Sequence, residues 1–172
     1  MIQYVHGDIL LSTSPVIAHG VAPNDDFHTG LALQLREQFP AMYKDFRHYA
    51  HVGHPKAGDF WVWSGTGPHG SVRIASLFTQ EGSYEHGGKP GRAHTEHVNH
   101  ALKKLAKWLE SERPASIALP RLATGVGGLE WAAVEPLIQQ HLANAGAPVF
   151  VYTTYAKGVA APELGGVKSA SR

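Results

Sequence analysis

Ile117-Ala118-Leu119-Pro120-Arg121-Leu122-Ala123-Thr124-Gly125-Val126-Gly127-Gly128-Leu129-Glu130-Trp131 carries the pattern that decides the fold. Ile117–Leu119 reads as a very short strand, and Arg121–Gly128 as a glycine-bearing loop. From Trp131 the pattern turns helical as far as Ala145, and Gly146 supplies a stop signal. A strand, a glycine loop and a helix in succession form the unit of an α/β sheet. Ligands in such sheets sit at the carboxyl ends of strands, beside helix N-termini. Gly125, Gly127 and Gly128 let backbone N–H groups turn toward an anion, and a helix dipole follows directly. A diphosphate is a sensible guest for the segment Thr124, Gly125, Val126, Gly127 and Gly128.

Working outward, the same alternation recurs. Ile2–Val5 and Val16–His19 read as strands, broken by Gly7-Asp8 and by Gly20. Val21–Gly30 reads as a loop by its turn residues. Leu31, Leu35 and Phe39 recur at four-residue spacing on one helical face, and Pro40 ends that helix. Met42–Tyr49 suits a second helix. Phe60–Trp63 and Val72–Leu77 read as strands around a Gly65-Thr66-Gly67-Pro68 turn. Gln80–Arg92 reads as a loop, and His94–Glu110 as the clearest helix, with Val98, Leu102, Leu105 and Leu109 as its stripe. Val149–Tyr152 is the final strand. The expectation is one α/β domain over residues 1–157 with a mixed, mostly parallel sheet, and a flexible C-terminal tail over 158–172.

The bulk properties narrow the chemistry. The chain has 172 residues, 43% apolar and 17% charged, which suits one globular domain with a real core. A formal net charge of +1 gives no broad electrostatic footprint for wrapping nucleic acid. With no cysteine, disulfides, thiol nucleophiles and thiolate zinc sites are excluded. MIQYVHGDILL lacks the basic leader and continuous apolar core of a signal peptide. A cytoplasmic monomer with no membrane partner and no cofactor is expected.

The order and spacing of three loops resemble the macrodomain family. Gly7-Asp8-Ile9 looks like that family's early Gly-Asp-Ile element. His19…Asn24…Phe27-His28-Thr29-Gly30-Leu31-Ala32 resembles its first ligand loop, and Leu119-Pro120-Arg121…Thr124-Gly125-Val126-Gly127 its phosphate loop. Val151-Tyr152-Thr153 is similar to its last strand. The resemblance implies a three-layer α/β/α sandwich that binds ADP-ribose and ADP-ribosylated protein or DNA. It places Asp8 and Ile9 at adenine with Tyr152 beside it, and Thr29, Gly30 and Leu31 at the distal ribose. Pro120-Arg121 followed by Leu129-Glu130-Trp131 is similar to one class in particular. That class holds the terminal ADP-ribose glycohydrolases and the antitoxins that strip ADP-ribose from thymidine bases of DNA. Leu77-Phe78-Thr79, with His86-Gly87 further on, is also similar to ADP-ribose 1″-phosphate phosphatases.

Three positions depart from the class. A lysine is expected where Gln80 stands, an aspartate in some members where Gly127 stands, and a Ser or Asn where Ala22 stands. Lys89 is the nearest other lysine, but it does not match the motif position. Covalent attack by an amine at the Gln80 position is therefore unavailable. An ADP-ribosyl hydrolase would have to rely on water, with Gln80 holding a water or a sugar hydroxyl and His28 as acid or base. Glu81, Glu85 and His86 are weaker candidates of the same kind. A phosphatase, or a reader that binds without turnover, stays open. His94, His97 and His100 mimic metal-ligand spacing. On a helix, however, steps of three residues turn about 300° each, so the three do not converge. Of the four tryptophans, Trp108 lies off its helix's apolar stripe and is a candidate contact surface.

Overall fold

A computed structural model describes residues 1–82 and 91–163. Glu85, His86 and Lys89, and the tail over 164–172, lie outside the described residues. Among the described residues six strands and four helices run in the order β1 (Ile2–Gly7), β2 (Val16–Val21), α1 (Gly30–Gln38), α2 (Pro40–Gly53), β3 (Phe60–Gly67), β4 (Gly70–Phe78), α3 (Thr95–Glu112), β5 (Ile117–Pro120), α4 (Trp131–Leu142) and β6 (Val149–Tyr155). A short 3-10 turn, Ile9–Leu11, follows β1.

The sheet order is β1-β6-β5-β2-β4-β3. All neighbours are parallel except the β3–β4 hairpin. Strand alternation splits the interior into two cores. Val16, Ala18, Ala75, Leu77, Leu119, Val149 and Val151 face α3 and α4. Ile17, Val21, Ile74, Phe78, Ala118, Phe150 and Tyr152 face the other way, toward Leu35 of α1 and Met42, Phe46 and Ala50 of α2. This is the three-layer α/β/α sandwich, with its mixed, mostly parallel sheet.

Several boundaries differ from the sequence reading, each for a local reason. Pro40 ends α1 and also opens α2, where its fixed φ and missing N–H cost nothing. The hairpin turn lies at Gly67-Pro68-His69-Gly70, because Gly65 and Thr66 pair with Val72 and Ser71. Gly70 adopts φ +107°, which the expected turn position did not supply. Trp108 meets Phe60 edge to face at 6.3 Å, and the Arg73 guanidinium lies 4.7 Å from its ring centroid. Trp108 thus covers the sheet flank. Packing also continues past Lys157. Asp8 N donates to Val159 O at 2.7 Å, Gln3 to Pro162 O at 3.0 Å, and the Glu163 carboxylate accepts from Ser12 and Thr13. Among the described residues no helix is long and apolar enough to cross a membrane.

Candidate functional site

Because β1, β6, β5 and β2 run parallel, their carboxyl ends open on one edge of the sheet. A cleft of about 420 Å³ lies there, within the usual range for small-molecule sites. It is lined by Gly7 and Ile9 after β1, Gly30, Leu31 and Gln34 of α1, Pro120 of β5, and Tyr152 and Tyr155 of β6. Of the residues expected from sequence, Ile9, Gly30, Leu31 and Tyr152 meet here, and Pro120 from the quoted motif joins them. Gln34 and Tyr155 were missed.

Tyr155 escaped notice for a geometric reason. Strict alternation puts residues 152 and 155 on opposite faces of a strand. The β1–β6 register instead slips, pairing Val5 with Tyr152 and His6 with Thr154. The extra residue, Thr153, re-aims the end of the strand, as bulges beside binding sites commonly do. Both tyrosines therefore line the same cleft. Tyr155 is 54% exposed, whereas Tyr152 is buried. The Tyr152 hydroxyl donates to the Glu163 carboxylate. Burial, and then that carboxylate, push the phenol's pKa up, so it stays protonated.

Asp8 is not among the lining residues. One carboxylate oxygen accepts from Leu10 N at 3.0 Å, capping the 3-10 turn, and the other accepts from Gly158 N at 3.0 Å. Its main structural role is to tie β1 to the segment after β6.

The first glycine loop is held by a buried plug. Phe27 adopts φ +53° and packs against the rings of His19, Tyr43 and Phe46. Its N–H donates to the Asp25 carboxylate at 2.7 Å. Burial pushes the Asp25 pKa up, and that hydrogen bond opposes the shift. His28 then points outward and pairs through Nδ1 with the Asp26 carboxylate. Thr29 caps α1 with its backbone alone, and Gly30 takes φ +60°. His19, deeper on β2, meets Ser76 at 2.9 Å, and burial lowers its pKa to about 4.

The second glycine loop, between β5 and α4, is a tight coil. Leu129 N donates to Ala123 O at 2.9 Å, Gly128 N to Gly125 O at 3.0 Å, and the Thr124 hydroxyl to Arg121 O at 2.9 Å. Ala123 and Gly128 take positive φ, +63° and +79°. Val126, at the tip, is 77% exposed, and α4 begins three residues beyond Gly128. The loop is bonded to residues 92 and 93. Ala93 N donates to Gly127 O at 3.1 Å and Arg92 to Gly128 O at 3.2 Å. A Cβ on Gly127 would stand 2.7 Å from Ala123 O and 2.9 Å from the Ala93 Cβ. The position where some class members carry aspartate therefore has no room for a side chain here.

Gln80 is 6% exposed and bridges to Ala93. Its side-chain amide donates to Gly91 O at 2.6 Å, and Gly91 N donates to Glu81 O at 3.0 Å. Gln80 thus ties the end of β4 to residues 91 and 93, and it is not among the cleft-lining residues. His97 pairs with Glu81 at 2.9 Å and meets the His94 ring edge to face at 5.6 Å. Among the described residues no three His, Asp or Glu side chains converge as a metal site.

No family model matches the chain. It is 31% identical over 153 residues to a curated DNA ADP-ribosyl glycohydrolase of Thermus aquaticus, covering 88% of this chain and 41% of that protein. It is 26% identical over 135 residues to the protein of that name from Mycobacterium tuberculosis, covering 78% and 37%. The chain thus spans about two fifths of these relatives' length. Among solved structures, the macrodomain of Thermus aquaticus DarG superposes with a TM-score of 0.75 at 29% identity, covering 89% of this chain and 98% of that one. Thermosipho africanus DarTG in complex with ADP-ribose gives 0.77 at 19% identity, covering 99% and 44%. With the sandwich, the cleft at the sheet edge and the two glycine-bearing loops all in place, these likenesses settle the family: the chain belongs to the macrodomains.

Proposed function

We propose that the cleft binds ADP-ribose and that the chain acts as an ADP-ribosyl hydrolase, releasing ADP-ribose from modified thymidine bases of DNA or from protein carboxylates. The observation that carries this is the convergence of Ile9, Gly30, Leu31, Tyr152 and Tyr155 on one cleft. Adenine would lie between Ile9 and the tyrosines, with the Tyr155 ring as a stacking face. The diphosphate would follow Thr124 to Gly128 into the α4 N-terminus, where backbone N–H groups and the helix dipole favour anions. The distal ribose would meet Thr29, Gly30 and Leu31. The relatives named DNA ADP-ribosyl glycohydrolase support the DNA linkage over the protein one.

In the reaction, water attacks C1″ of the ribose and the bond from C1″ to the base or carboxylate breaks. One proton passes to the leaving group, and ADP-ribose departs with a new hydroxyl. His28 is the proposed acid or base: Asp26 holds Nδ1, which sets the ring and directs Nε2 to proton transfer. Gln80 serves as a positioning residue that holds residues 91–93 against the phosphate loop.

A reader without turnover is the second reading. It is favoured by the engaged amide of Gln80 and by the lack of space at Gly127, which together remove the class's lysine and aspartate. A product assay decides between them. Incubation with ADP-ribosyl-thymidine DNA should release free ADP-ribose, and His28→Ala should slow release by about 100-fold while ADP-ribose affinity holds. Binding by calorimetry without release from DNA, glutamate-linked protein or ADP-ribose 1″-phosphate would leave the reader. Phosphate release from the last substrate alone would make it a phosphatase.

A further inference from the structure

Arg92 is the residue that neither the motif nor the cleft accounts for. It is exposed, yet it is held in place from both sides. The backbone of its neighbour Ala93 is bonded to Gly127 O at 3.1 Å, and its own Nη2 donates to Gly128 O at 3.2 Å. The guanidinium lies across Gly128 so closely that a Cβ there would stand 2.5 Å from Nη2 and 3.1 Å from Nε. The glycine at φ +79° thus makes the seat on which the cation rests. Among the described residues no carboxylate forms an ion pair with Arg92.

A cation beside a phosphate-binding loop, without an acidic partner among the described residues, calls for an anion. Arg92 is not among the residues lining the cleft, and its guanidinium rests on Gly128, at the end of the loop nearest α4 in the chain. We infer that Arg92 is a specificity-determining residue that binds a backbone phosphate of the nucleic acid to which ADP-ribose is attached. The planar guanidinium fork matches a phosphate's oxygens in a way lysine does not. The formal net charge is only +1, so a single placed cation can carry a distinct share of the contact with a nucleic-acid backbone. This rests on the reading that the cleft takes ADP-ribosylated DNA.

The test measures binding of two probes, free ADP-ribose and a short single-stranded oligonucleotide carrying ADP-ribose on one thymine, to the wild type and to Arg92→Ala. The wild type should bind the modified strand more tightly than free ADP-ribose. Arg92→Ala should weaken the strand about tenfold and leave free ADP-ribose within about twofold. The dependence of log affinity for the strand on log salt should become shallower by about 0.7, the value of one phosphate contact on a single strand. Arg92→Lys should recover only part of the loss. Equal weakening of both probes would assign Arg92 to the ADP-ribose diphosphate and overturn the inference, as would no weakening of either. A wild type that binds both probes equally would also overturn it while leaving ADP-ribose binding intact. Failure of the wild type to bind free ADP-ribose would instead overturn the proposed function.

Discussion

Thr79 precedes Gln80 at the end of β4, and its hydroxyl is fully buried with no hydrogen-bond partner among the described residues. An orphaned buried hydroxyl costs the fold about 1–3 kcal/mol, and an apolar isostere removes the cost. Thr79→Val should therefore raise stability by about 1 kcal/mol in urea unfolding; a lower midpoint would mean that the hydroxyl has a partner. Gly127 argues in the opposite direction. Its Cβ position already collides with Ala123 O and the Ala93 Cβ, so Gly127→Asp should cost about 2 kcal/mol or more. For that reason, restoring the class residues by pairing Gly127→Asp with Gln80→Lys should yield an unstable protein rather than a faster one. His19 sets the pH response. Its pKa is about 4 in the fold against 6.5 in the open chain, so between those values the unfolded chain takes up the proton first. Stability falls as pH drops from about 6.5 to about 4, by about 3 kcal/mol for this one group. Asp25, with its pKa raised by burial, works against this loss, since protonation on acidification relieves its penalty. Unfolding midpoints taken across that range should slope less for His19→Gln than for the wild type.

At the scale of elements, β6 and the segment after it form one working unit. The bulge at Thr153 brings Tyr155 into the cleft, and the chain then turns back so that Gly158, Val159 and Glu163 grip Asp8, Ser12, Thr13 and Tyr152. Cutting the chain after Ala156 should remove those bonds and lower the melting temperature by several degrees. Cutting after Glu163 should leave them in place. Equal melting of the two truncations would show that the segment contributes nothing to the β1 edge. Nothing in the residue pattern signals this anchoring. Gly158, Val159 and Pro162 have small or polar neighbours and no periodicity, and Gly158 and Glu163 bond to residues 150 and 151 positions away.

For the molecule as a whole, a ligand that binds only the folded state stabilises it by mass action. ADP-ribose at about 100 times its Kd should add about 2.7 kcal/mol, a rise of about 5–10 °C for a domain of this size. Thermal scans with and without ADP-ribose check this. Tyr155→Ala should reduce the rise if that ring stacks on adenine, and a rise equal to wild type would remove Tyr155 from the site.

The sequence alone determined the alternation of strands and helices, the α/β class, the apolar stripe of α3, and the two glycine loops that flank the carboxyl edge of the sheet. These features are local: periodicity, turn residues and glycine spacing are written in neighbouring positions. Only the tertiary structure decided which loop residues share a cleft. It tied Asp8 to Leu10 N and Gly158 N, and added Tyr155 to the cleft through a one-residue slip in pairing with a strand far away in sequence. It also turned Gln80 onto Gly91 and Ala93 and set Arg92 on Gly128. Each of these rests on register, packing or space between segments distant in the chain, and such distances leave no trace in residue order.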